Sequence, residues 1–71
     1  MDRKTLLKGI SSRLKKIRLE LGVSHEKMGS YFGVGRTSYT KNENGETFPH
    51  LCSFNILGNN FGVSLDWLIL S

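Results

Sequence analysis

The stretch of the chain that decides its fold is His25-Glu-Lys-Met-Gly-Ser-Tyr-Phe-Gly-Val-Gly-Arg-Thr-Ser-Tyr-Thr-Lys-Asn-Glu-Asn44. Ser24 stands just before it, where a side-chain oxygen can cap the first turn of a helix. The apolar side of that helix is supplied by Met28, Tyr31 and Phe32. Gly33 then ends the segment, so the pattern predicts a short helix of about eight residues.

A second helix is predicted directly after a tight turn. Gly35 can begin it, and it runs from Arg36 to about Asn44, with Gly45 as its C-terminal cap. Gly29 lies one helical turn before the glycine turn, where two backbones have to approach each other closely. Two short helices joined in this way pack at a steep angle against a shared core, which projects the second one outward. The sequence therefore predicts a helix-turn-helix over about residues 25–44.

Another helix is predicted before this unit, because apolar residues recur at steps of four, three and four. They are Ile10, Leu14, Ile17 and Leu21. Ser11 or Ser12 can cap its start, and Gly22 stands where a left-handed residue commonly ends a helix. We interpret residues 1–9 as a basic lead-in that can be partly helical, and residues 10–71 as the helix-turn-helix domain.

Two more helices are predicted after the unit. Pro49 suits the first turn of the fourth helix, since its missing N–H has no partner there. The buried stripe of this helix is spaced as Leu51, Phe54, Leu57 and Phe61, and Gly62 ends it. Ser64 caps a last short helix over residues 65–70. Because no window alternates apolar and polar residues, the predicted fold class is all-α, a compact bundle of five short helices.

Length and composition restrict the class of protein. The 71 residues make one domain with 38% hydrophobic and 23% charged residues, as expected for a soluble globular chain. The apolar runs are too short to span a membrane, and the first residues lack the continuous apolar segment of a secretory signal. The single cysteine, Cys52, forms no intrachain disulfide, which fits a reducing cytoplasm.

The positive charge is concentrated near the N-terminus. The net charge is +4, and seven of the ten Lys and Arg residues precede Leu19. Such a surface is either a solvated helix face or one that attracts a polyanion, and charge alone leaves both interpretations open. Arg3, Lys4 and Lys8 likewise form either an arm along a nucleic-acid backbone or a disordered segment.

No group of residues indicates catalysis or metal binding. His25, His50 and Cys52 lack the spacing of a metal site. Cys52 has no recognisable activating arrangement, and Gly33-x-Gly35 follows a helix rather than the strand that a nucleotide-binding loop requires. We therefore expect no enzymatic activity, no metal and no cofactor.

Several pieces of the chain recur together in one known family. They are Arg13-Leu-Lys-Lys-Ile-Arg18 with Leu21-Gly-Val-Ser24, Phe32-Gly-Val34, Glu43-Asn-Gly45, Pro49-x-Leu51 and Phe61-Gly-Val-Ser-Leu-Asp-Trp-Leu68. In this order and spacing, the stretch from Arg13 to Leu70 resembles the Cro/repressor-type (Xre-like) helix-turn-helix domain of phage repressors. The resemblance implies a lambda-repressor-like fold whose projecting helix enters the DNA major groove.

The resemblance also implies a role for each matching position. Base edges are read by the first two residues of the projecting helix and by one a turn later, which here are Arg36, Thr37 and Lys41. His25, at the start of the first of the two helices, contacts the DNA backbone or an outer base. Asn44 binds a phosphate, with Ser38 and Thr40 as further phosphate donors. The side-chain chemistry agrees, since an arginine can make a bidentate contact with guanine worth about 1–3 kcal/mol.

Arg18 and Glu43 match a further family feature, an ion pair between the first helix and the end of the projecting helix. The resemblance implies that this partly buried pair fixes the geometry of the two helices, more than it adds stability. Arg18 is therefore not expected to read a base.

Some positions depart from the family pattern. Gly29 stands where alanine is usual, and Gly35 where a capping residue is usual. Asn42 replaces an inward-packing apolar residue, so its amide must find hydrogen-bond partners or reach solvent. The projecting helix is therefore expected to be rotated, to be looser in its second half, or to be held by another chain. Tyr39 is large where the family prefers a smaller residue, and it can fill the space.

Together these features predict a sequence-specific, double-stranded DNA-binding transcriptional regulator of repressor type, bacterial or phage-encoded and acting in the cytoplasm. One helix reads few base pairs, so a homodimer on an inverted-repeat operator is expected. The candidate dimer interface is Trp67, Ile69 and Leu70, unless these side chains only close the monomer core. The alternative function is a protein-interaction module, such as an antitoxin or anti-repressor, that reuses the same fold.

Overall fold

A computed structural model describes residues 2–70 of the chain, so Met1 and Ser71, at the ends of the predicted lead-in and domain, lie outside it. The described part contains five α-helices and no strand, which confirms the predicted all-α fold class. The helices are α1 (Arg3–Leu21), α2 (His25–Tyr31), α3 (Arg36–Glu43), α4 (Leu51–Asn60) and α5 (Leu65–Leu70). None of these helices is both long and apolar enough to cross a membrane.

The start predicted for α1 at Ser11 or Ser12 is wrong. The helix begins at Arg3, and the Asp2 carboxylate caps it by accepting a hydrogen bond from the Thr5 backbone N–H at 2.7 Å. This hydrogen bond holds the pKa of Asp2 below its ordinary value. Ser11 instead lies in the helix interior, buried, with its hydroxyl donating to the Lys8 carbonyl at 2.9 Å. Residues 3–9 are thus helical, so Arg3, Lys4 and Lys8 belong to the first turns of α1 and not to a disordered segment.

The predicted start and buried stripe of α4 are also partly wrong. Pro49 lies before the helix as a buried loop residue, and His50 occupies the N-cap position. Leu51 is 85% exposed, so it does not belong to the buried stripe. The inward position in the first turn is taken by Ser53, with Leu57 fully buried one turn later. Phe54 and Phe61 are half-buried and pack against the core.

The core lies where the five helices meet. Its fully buried side chains are Leu14 of α1, Met28 of α2, Tyr39 of α3, Leu57 of α4 and Leu68 of α5. The α1 helix packs against both α3 and α5, while α2 packs against α3 and α4 against α5. Each helix therefore gives one face to a single core, and Arg36, Thr37 and Lys41 on the other side of α3 are exposed.

Candidate nucleic-acid interface

The turn between α2 and α3 depends on Gly33 and on Gly29 of the preceding helix. Gly33 adopts φ +71°, a left-handed conformation that is unfavourable for any residue that has a side chain. The chain then returns to α2, where the Val34 N–H donates to the Gly29 carbonyl at 2.9 Å. A Cβ atom on Gly29 would lie 3.0 Å from the Val34 carbonyl oxygen, so the close approach of backbones predicted at Gly29 is confirmed.

The α3 helix has one buried face and one exposed face. Its buried face consists of Tyr39, Asn42 and Glu43. Arg36, Thr37 and Lys41 are exposed, and they line one shallow depression with the half-buried Thr40 and with Glu46. Because residues three and four apart lie on the same side of a helix, the side chains of Arg36, Thr37, Thr40 and Lys41 form a single row on the outer side of α3, called here the outward row. The structure thus brings together four of the residues to which the resemblance assigns DNA contacts.

Of the remaining residues with assigned DNA contacts, Ser38 and Asn44 lie on α3 or at its end, whereas His25 lies against Glu43 of the buried face. Ser38 is exposed and lies beside the row, in a depression that it shares with Lys41, Thr47 and His50. Asn44 is exposed at the end of α3, where its backbone N–H donates to the Thr40 carbonyl at 2.9 Å. His25 is half-buried at the first position of α2.

Two lysines of α1 lie close to Asn44, which the sequence analysis did not anticipate. Lys4 and Lys8 line a depression together with Ser11, Asn44 and Gly45. Their exposed side chains add positive charge beside the end of α3. The first turns of α1 therefore extend the polar and basic surface around the outward row.

A buried polar cluster, formed by Arg18, His25 and Glu43, joins the first three helices. The Arg18 Nε donates to Glu43 Oε2 at 2.9 Å and Nη2 donates to Oε1 at 3.1 Å, while Nη1 donates to the Val23 carbonyl at 3.0 Å. His25 Nε2 lies 3.2 Å from the same Oε1. The Arg18 and Glu43 side chains are only 12% and 4% exposed. The structure thus brings Arg18 and Glu43 together and adds His25, a third partner that the sequence analysis did not include.

The cluster sets the charge states of its members. Burial alone would raise the pKa of Glu43, but its hydrogen bonds, above all those from Arg18, outweigh burial and hold the pKa below its ordinary value. The same hydrogen bonds raise the pKa of Arg18. At neutral pH, Glu43 is consequently a carboxylate that accepts hydrogen bonds and donates none.

Tyr39 fills the space between this cluster and the core. The side chain is fully buried, and its ring centroid lies 5.8 Å from that of Phe32 and 6.1 Å from that of His25. Burial, together with the neighbouring Glu43 charge, raises the pKa of Tyr39 far above its usual range. Its hydroxyl lies beside Glu43 without a well-formed hydrogen bond, so Tyr39 acts mainly as packing.

The amide of Asn42 finds its partners within the same molecule. The side chain belongs to a residue only 8% exposed, and Nδ2 donates to Thr47 Oγ1 at 2.9 Å and, at 3.3 Å, to the Thr47 carbonyl. The α3 helix stays regular to Glu43. Asn42 thus fastens the loop after α3 to its buried face, and neither a looser helix nor a second chain is needed to satisfy the amide.

The C-terminal helix contains both core and surface residues. Trp67 and Ile69 are half-buried and pack against the core, whereas Leu70 is 68% exposed. The Lys16 Nζ lies 5.8 Å from the centroid of the Trp67 ring, at the edge of a groove between α1 and α5. Of the three residues of the candidate dimer interface, two thus contribute to closing the monomer core.

Comparison with known proteins identifies a relative among prophage regulators. Over 57 residues, 80% of this chain, the sequence is 40% identical to the SPbeta prophage-derived uncharacterized HTH-type transcriptional regulator YonR of Bacillus subtilis (strain 168). The chain spans about half the length of that relative, 53%. No family model and no solved structure matches the chain, so the narrower Cro/repressor-type assignment stays a prediction.

Proposed function

We propose that this protein is a transcriptional regulator, of repressor type, that binds double-stranded DNA sequence-specifically and inserts α3 into the major groove. The observation that carries the proposal is the outward row of α3, where Arg36, Thr37 and Lys41 are exposed while the opposite face is anchored in the core. A helix held in this way has the dimensions to enter a major groove. The similarity to a protein named as an HTH-type transcriptional regulator supports the same function.

The side chains divide into two groups by their chemistry. Arg36, Thr37 and Lys41 read base edges, with the Arg36 guanidinium donating to guanine O6 and N7. His25, Ser38, Thr40 and Asn44 contact the phosphate backbone, and they fix the register of α3 without reading sequence. Lys4 and Lys8 add charge beside Asn44, where they extend the contact with the backbone. The protein acts in the cytoplasm, without a cofactor and without catalysis.

A homodimer on an inverted-repeat operator supplies the specificity that a single helix lacks, with half-sites about 10 bp apart. Leu70 offers exposed apolar surface for such an interface, on the same short helix as the half-buried Trp67 and Ile69. We expect sedimentation of the protein with its operator to give two subunits per duplex. Leu70→Asp should weaken this assembly without unfolding the subunit.

Binding measured by fluorescence anisotropy, on a duplex selected from a random DNA pool, tests the proposed function. We expect Asn44→Ala, which removes a backbone contact, to weaken binding to all sequences alike, and Lys41→Ala, which removes a base reader, to relax the preference at one position of the site. Lys27→Ala is the matched control, because Lys27 is exposed on the side of α2 opposite His25. Failure of the pool to enrich any sequence would contradict the proposed function.

A further inference from the structure

We propose that DNA binding by this protein is coupled to uptake of a proton by His25, which contacts a backbone phosphate only as the imidazolium. In that state Nε2–H donates to Glu43 and Nδ1–H donates to a phosphate oxygen. The inference rests on the proposed function, and it adds a regulation by pH.

The hydrogen bond to Glu43 fixes which nitrogen of His25 carries the proton. The Glu43 carboxylate is 4% exposed, bound to Arg18 and ionised, so it can only accept. Its Oε1 lies 3.2 Å from His25 Nε2, and Nε2 must therefore be the protonated nitrogen of the neutral ring. Nδ1 is then left with a lone pair and no hydrogen.

Nδ1 is the atom of the ring that remains available to a ligand. Within residues 2–70, the ring makes no hydrogen bond other than that of Nε2, and Nδ1 is not among the buried polar atoms that lack a partner. The side chain is 35% exposed, so Nδ1 reaches solvent. Phosphate oxygens accept hydrogen bonds, and a lone pair facing one is repelled. The neutral ring therefore cannot serve as a donor to the DNA backbone, whereas the imidazolium can.

The charges around His25 determine the direction of the coupling. From α3, His25 faces the Glu43 carboxylate and the Tyr39 ring, and from α1 it faces the Arg18 guanidinium that shares Oε1 with it. On α2 the adjacent charged residue is the exposed Glu26, while Lys27 lies on the opposite side of the helix. In the proposed complex, binding adds a phosphate next to Nδ1. A negative charge at Nδ1 favours the imidazolium, so binding takes up a proton from solvent and no covalent bond changes.

Titration calorimetry in two buffers of different ionisation enthalpy, phosphate and Tris, measures this proton directly. With the selected duplex at pH 7.5, we expect uptake of a fraction of a proton, up to one, per subunit. The association constant should fall as pH rises, by up to about tenfold per pH unit and per subunit. His25→Gln, whose amide donates without titrating, should abolish the uptake and flatten the pH dependence.

The second histidine provides the matched control. The chain has two histidines, and His50→Gln leaves His25 as the sole one, so we expect its proton uptake to equal that of the natural protein. If circular dichroism shows that His25→Gln is unfolded, the proton uptake of His50→Gln tests the proposal instead. Binding without proton uptake, or uptake that survives His25→Gln or disappears in His50→Gln, would overturn the coupling. A protein that binds no duplex at any pH would instead contradict the proposed function itself.

Discussion

Glu43 determines how the stability of the protein depends on pH. Its pKa is lower in the folded protein than its ordinary value of 4.5, so the carboxylate stabilises the fold above that pH. The contribution is lost as pH falls below 4.5 through the folded value. We therefore expect the free energy of unfolding, measured by urea titration, to decline steeply below pH 4.5.

Glu43→Gln should remove this dependence. At pH 7 the variant leaves Arg18 buried without its counter-charge, which we expect to cost roughly 3 kcal/mol in the free energy of unfolding. The difference from the natural protein should shrink as pH falls below 4.5, because Glu43 is protonated first in the unfolded state and then, at its lower pKa, in the folded one. Glu20→Gln, an exposed change on α1, is the control and should have little effect. A difference that stays constant from pH 7 to pH 3 would rule out this role of Glu43.

Asn42 and Thr47 should be coupled energetically, because the Asn42 amide donates to both oxygens of Thr47. In a double-mutant cycle of Asn42→Ala and Thr47→Val, we expect a coupling free energy of about 1 kcal/mol, measured by urea unfolding. Strict additivity of the two changes would mean that the hydrogen bonds contribute nothing. At this scale the sequence alone predicted that Asn42 needs a partner. It could not identify Thr47, because the conformation of the loop determines that choice.

Changes at Gly33 and at Gly35, the two glycines between α2 and α3, should alter the stability of the protein in opposite directions. Gly33→Ala forces a side chain into φ +71°, and we expect a loss of about 1–2 kcal/mol. Gly35 has φ −76°, open space around it and no side chain to cap α3, so Gly35→Ser should add a few tenths of a kcal/mol. Thermal unfolding followed by circular dichroism measures both. Equal effects of the same sign would contradict the turn geometry.

The sequence predicted the number and class of the helices well, but not all of their starts. The starts of α2, α3 and α5 follow from local capping residues, and the structure places them as predicted. The start of α1 was not predicted, because the apolar stripe with steps of four, three and four begins only at Ile10. Asp2, and Leu6 four residues before Ile10, already indicated a longer helix. The orientation of α4 could not be read from spacing, because burial of Pro49 and exposure of Leu51 depend on how the loop packs.

At the scale of the whole molecule, the basic first turns of α1 should contribute to DNA binding through charge alone. Lys4 and Lys8 lie beside Asn44, so the double change Lys4→Ala and Lys8→Ala should weaken binding to selected and scrambled duplexes alike. The slope of log K against log salt should fall by about 2 per subunit. Anisotropy titrations across a salt series measure it, with Lys27→Ala as control. An unchanged slope would place these lysines outside the contact with DNA.

The central claim is that the outward row of α3 reads bases, and selection from a random DNA pool with Arg36→Ala tests it most directly. Lys27→Ala, which removes one positive charge elsewhere, should enrich the same site as the natural protein. We predict that Arg36→Ala loses preference for guanine at one position of each half-site and keeps the others, at a cost of about 1–3 kcal/mol on the preferred site. Equal weakening on every sequence, with the enriched site unchanged, would contradict the claim.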